Sequence, residues 1–61
     1  MMNKLPQFVK DYANYKKNEI REMDSRNIYR PIFLYDIDNI VNNIKRGSIT
    51  INEGMRRLSE I

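Results

Sequence analysis

Only one short stretch of this sequence, Asp36-Ile37-Asp38-Asn39, groups side chains that could do chemistry. Two carboxylates separated by one residue can open a calcium loop. Such a loop also needs a glycine at its sixth position and a glutamate at its twelfth. Val41 and Gly47 stand there instead. On a helix, Asp36 and Asp38 point about 160° apart. They read as acids of a helix's first turn, suited to the positive end of its dipole. No metal ligand set is expected.

Catalysis has equally little to work with. The 61 residues contain no histidine and no cysteine, which removes the commonest general base, the thiolate nucleophile and zinc–thiolate sites. A catalytic site would then need paired carboxylates, a tuned lysine or a lysine-activated serine. Ser25, Ser48 and Ser59 all sit where turns and helix ends are expected. The two glycines, Gly47 and Gly54, form no phosphate-cradling loop. A chain this short has little room to exclude water from a pocket. The sequence is expected to encode neither an enzyme nor a cofactor carrier, so function has to come from surfaces.

Those surfaces are set by the central segment Pro31–Gly47. At 100° per residue, Phe33, Leu34, Ile37, Ile40, Val41 and Ile44 share an arc of roughly 120°. Asp36, Asp38, Asn39, Asn42, Asn43, Lys45 and Arg46 occupy the remainder. This predicts a half-buried helix over residues 31–46, ended by Gly47 in the left-handed conformation behind two cations that suit the C-terminal dipole.

Ahead of it, Leu5, Phe8, Val9, Tyr12, Ala13, Ile20 and Met23 predict a first helix over about 4–24. Asn3 is its N-cap and Pro6 falls in its first turn. Lys16 interrupts the stripe but can lay its stem along apolar surface. Glu22 and Arg26 have the favourable i, i+4 order if the helix runs that far. Asp24-Ser25-Arg26-Asn27 marks the turn, and the connection is expected at about 25–30. Residues 28–35 are also rich in β-branched and aromatic types and could form an edge strand. No second strand of similar quality exists to pair with it, so helix is the expectation.

Thr50-Ile51-Asn52-Glu53 spells a capping box for a third helix over about 51–60, with Ile51, Met55, Leu58 and Ile61 on one side. Gly54 inside that helix costs about 1 kcal/mol relative to alanine, and a close approach by another backbone is the expected compensation. The fold expected is all-α: an antiparallel helical hairpin plus a short third helix, as one domain. Chains of this length bury only about 60% of their unfolded surface. Without disulfides, completion by self-association or by a partner is expected.

Lysine and arginine exceed aspartate and glutamate by 11 to 8, and the surplus lies in the first 30 residues. This suits solubility and a mild preference for acidic partners. No apolar run resembles a signal peptide or a membrane span, so a cytoplasmic, membrane-free protein is expected. The richness in asparagine and isoleucine suits AT-rich coding, as in many phages and mobile elements.

Two functional readings follow. Ile32 and Tyr35 fall on the polar side of the central helix, where burial within the chain does not require them. With Tyr29 and Arg30 they form a candidate partner-binding patch of hot-spot residue types. The corresponding function is a small interaction module, an inhibitor or modulator of a host enzyme, acting as a homo-oligomer or heterocomplex. The alternative is a nucleic-acid-binding regulator with a helix-turn-helix-like C-terminal half. Lys16, Lys17, Arg21, Arg56 and Arg57 would meet phosphates and Asn52 would read a base.

Overall fold

A computed structural model describes residues 4–24 and 26–61. Three helices account for most of them: α1 (Gln7–Arg21), α2 (Arg30–Arg46) and α3 (Ile51–Ser59). Among the described residues there is no strand, and the 28–35 segment turns into the start of α2.

The first helix is shorter than expected at both ends. Pro6 is its N-cap, with extended backbone (φ −61°, ψ 149°), rather than a first-turn residue. A residue preceding proline is pushed away from helical geometry, which keeps Leu5 out of the helix. The expected cap at Asn3 lies outside the described residues. At the other end, Arg21 is the last helical residue and Glu22 closes the turn onto Asn18. The expected Glu22–Arg26 pair therefore does not form. Arg26 instead folds back onto Asp24, both through its backbone N–H (2.9 Å to Oδ1) and through its guanidinium.

The connection spans 22–29 and is built from two side-chain-capped turns. The Asp24 carboxylate accepts from the Arg26 N–H, and the Asn27 side-chain oxygen accepts from the Tyr29 N–H at 2.9 Å. Both are the local bonds that make these residue types turn formers. Arg30 then opens α2 with Pro31 behind it, so Asp36 and Asp38 lie beyond the first turn, which carries no acid. Their expected role as dipole-matching acids is thereby corrected.

Gly47 ends α2 at φ 77°, and Ser48 N–H donates to the Asn43 carbonyl at 2.9 Å. That left-handed residue turns the chain into α3. There the Thr50 hydroxyl accepts from Glu53 N–H at 3.1 Å. Only this half of the capping box is made. The Glu53 carboxylate is drawn instead to Arg56 and Arg57, each at 3.1 Å.

The core lies along the seam of the three helices. Val9, Ile37 and Leu58 are fully enclosed, and Leu5, Ala13, Ile20, Ile40 and Ile44 are buried around them. Phe33, Leu34 and Val41 pack against this cluster from α2, as do Tyr12 and Met23 from before the turn. Phe8 departs from the expected stripe: it is 57% exposed. Ile51, expected on the inner side of α3, also stays exposed at its edge, and Gly54 and Leu58 take the buried positions.

The close approach at Gly54 is to a side chain, correcting the backbone contact expected. A Cβ there would stand 2.6 Å from Cγ1 of Ile44, itself 2% exposed. Ile44 is locked among core neighbours and cannot easily yield. Gly54→Ala should therefore destabilise the fold by about 1–3 kcal/mol, despite the helix-propensity gain of about 1 kcal/mol. Urea denaturation checks this, and an unchanged or higher midpoint would contradict the packing described.

Candidate functional site

Helix length decides which part of the hairpin is roofed. At 1.5 Å per residue, α1 and α2 run for roughly 22 and 25 Å, and α3 for only about 13 Å. The third helix starts beside the end of α2. Its far end is fixed by Lys16, whose Nζ donates to the Ile61 carbonyl at 3.3 Å. The hairpin continues past that level, through Lys17–Arg21 on α1 and the first turns of α2.

The open end carries the apolar surface. Ile28 is 73% exposed, Tyr29 55%, Ile32 50% and Tyr35 69%. Tyr29 stacks on the half-buried Phe33 ring at 6.0 Å, which fixes it against α2. Tyr29, Ile32 and Tyr35, members of the expected patch, are thus each at least half exposed. Arg30 does not join them. Its guanidinium donates to the Arg21 carbonyl at 3.2 Å, and its Nε is buried without a partner among the described residues. The arginine satisfies an orphan carbonyl at the end of α1 and ties that end to the start of α2.

Ile28 belongs to this surface and was not singled out from the sequence. The more informative omission concerns charge. Pro31, Ile32, Tyr35, Asn39, Asn42 and Asn43 fall within an arc of roughly 120°, opposite the buried isoleucines. From Ile28 to Asn43, Asp38 is the only charged side chain among the exposed residues. It sits at the edge towards α1, where it pairs with Lys17. The solvent-facing side of a surface helix ordinarily carries lysines and glutamates. Here asparagines hold most of the polar positions, with Asp36 at the margin and Arg46 at the far end of the helix.

The residues proposed to meet nucleic acid are scattered and mostly engaged. Lys16 bonds to Ile61, Lys17 pairs with Asp38, and Arg21 reaches Asn18 at 3.5 Å. Arg56 and Arg57 share the Glu53 carboxylate. Asn52 is exposed on the first turn of α3. Among the described residues, no three acidic side chains come together to hold a cation. No helix is long and apolar enough to cross a membrane. Comparison with family models, curated proteins and solved structures returned no match.

Hydrogen bonding from Arg57 holds the Glu53 carboxyl below its ordinary pKa, against opposing desolvation and with added attraction from Arg56. A depressed folded-state pKa means the stabilisation is present above the unfolded value. It is lost as pH falls through the folded one. Acidification through the carboxylate range should therefore weaken α3. In Glu53→Gln that part of the pH dependence should be absent from melting curves recorded between mildly acidic and neutral pH. Separately, Arg30→Met keeps the stem but removes the donor to Arg21. It should lower stability by about 1 kcal/mol in denaturant titrations. An unaltered midpoint would mean that the clamp between α1 and α2 contributes nothing.

Proposed function

We propose that the protein is a non-enzymatic helical interaction module, which works by presenting the outer face of α2 to another protein chain. One observation carries the reading. Ile28, Tyr29, Ile32 and Tyr35 are each at least half exposed, within eight residues at the start of α2. At roughly 200 Å² for a large side chain, they expose about 500 Å² between them. This is near the upper end of what a monomeric protein leaves in water without a use for it. Tyrosine is also among the side chains enriched at interface centres. An inhibitor or modulator of a host enzyme is one protein that can be built this way, and the composition is compatible with it.

A phosphate-binding reading draws less support. Its cations Lys16, Lys17, Arg21, Arg56 and Arg57 are engaged within the chain.

The test uses the full chain immobilised and challenged with a bacterial lysate and with a separately tagged copy of itself. A specific protein partner should be retained by the wild type and by the Arg56→Ala, Arg57→Ala double variant. Its affinity for Tyr35→Glu should be about tenfold weaker or worse, the cost of losing one hot-spot side chain. Retention that survives Tyr35→Glu but is lost with the two arginines would overturn the reading in favour of an electrostatic surface.

A further inference from the structure

We propose that a cleft between α1 and α2 is a binding site for a phosphate monoester, held by Lys10, Lys17 and Lys45. The site is separate from the surface around Tyr35 and does not rest on the reading of that surface. Apart from Lys17, its cations are also different from those weighed for nucleic acid.

The cleft arises where the buried stripes of the two helices run out. On α1, Lys10, Asn14 and Lys17 are spaced by four and then three residues, and they fall within an arc of about 60°. That ridge is turned roughly 100–120° from Lys16, the residue that reaches the end of α3. On α2, Val41 and Lys45 stand one turn apart on the side towards α1. The two edges enclose a cleft of about 280 Å³, which no residue of α3 lines. Buried Ala13 and half-buried Val41 give it an apolar floor, and Lys10, Asn14, Lys17 and Lys45 line it around them.

Charge identifies the ligand. None of the ion pairs among the described residues includes Lys10 or Lys45, although Lys45 is half-buried. Lys17 is shared with Asp38. Asp11, next to Lys10 in the chain, is turned about 100° away around the helix. It accepts from the Gln7 side chain at 3.0 Å. Three lysines against the Asp38 carboxylate leave a surplus of two positive charges. A phosphate monoester brings about two negative charges at neutral pH and three strong acceptor oxygens. Lysines meet phosphate as point charges, and Asn14 adds an amide donor. A carboxylate or a phosphodiester brings a single charge and leaves half the surplus unmatched.

Size agrees with a small ligand. The cleft is close to the lower end of the roughly 300–1,000 Å³ of ordinary ligand pockets. It can take a phosphate with a short carbon body against Ala13 and Val41. The group can come from a free metabolite or from a phosphorylated side chain of another protein, which present the same chemistry.

Titration of the isotope-labelled full chain with phenyl phosphate, followed by amide shifts, tests the proposal. Saturable shifts should gather at Lys10, Asn14, Lys17, Val41 and Lys45. Methyl phenyl phosphate, a diester of single charge, should bind about tenfold more weakly. Lys45→Met keeps the stem but removes a cation, and should weaken binding about tenfold. Lys10→Met should do the same from an exposed position that the fold does not need. Asp38→Asn releases Lys17 and should strengthen binding severalfold, a gain that damage to the fold cannot imitate. A phosphoserine peptide that binds more tightly than free phosphoserine assigns the group to a protein, and equal affinity assigns it to a small molecule.

Shifts that fail to saturate overturn the proposal, as do shifts equally strong at Arg56 and Arg57. Equal affinity for monoester and diester also overturns it, and so does binding indifferent to the Lys10, Lys45 and Asp38 variants. None of these readouts involves Tyr35, so the failure of this proposal is distinguishable from failure of the interaction-module reading.

Discussion

Ile37 cannot leave water unless it is covered from two sides, and the rest of the molecule is arranged to do that. It sits at the middle of α2 and is fully enclosed, with Val9 of α1 and Leu58 of α3 as the two other fully buried side chains. Each helix thus contributes one of the three innermost residues. No covalent cross-link can substitute for them, because the chain has no cysteine. Apolar burial is the main favourable term in such a fold. It depends on Gly54 being without a side chain, so that α3 can settle against Ile44. The hairpin closes for a related reason. Arg30 takes up a carbonyl that α1 leaves unpaired, and the turn between the helices satisfies its own backbone through Asp24 and Asn27.

The polar groups are distributed around this seam. Lys17 and Asp38 join α1 to α2 at one edge, and Lys16 reaches across to the end of α3 at another. Glu53 gathers two arginines on the outside of α3. Exposed pairs of this kind contribute little to stability individually. Their consequence is that charge lies on all three helices, with Asp38 and Arg46 exposed on α2. The inner face of α2, through Ile37, Ile40 and Ile44, holds the fold together.

Much of this was legible in the sequence where a single residue type has a single physical consequence. Gly47 after a run of two cations marked a helix end, Thr50 marked a helix start, and the isoleucine spacing of 37, 40 and 44 marked the buried face. Helix ends governed by competition were harder to read. Asn3 is a better cap by type than Pro6, but the proline's effect on Leu5 decides where α1 begins. Glu53 could bond the Thr50 amide or the arginines one turn on, and charge wins. Phe8 and Ile51 belong to apolar stripes by spacing alone, and only the position of α3 leaves them outside. Arg30 resembled a surface hot spot because its carbonyl partner is nine residues away, across a turn.

Both faces of α2 exist only if residues 30–46 form one unbroken helix, so the most direct measurement is of the backbone itself. Carbon secondary shifts in dilute solution should be helical without interruption from Arg30 to Arg46. Amide hydrogen exchange should be slowest at Ile37, Ile40 and Ile44. Extended shifts between residues 30 and 35, with fast exchange there, would take Ile32 and Tyr35 off the common face and contradict the account.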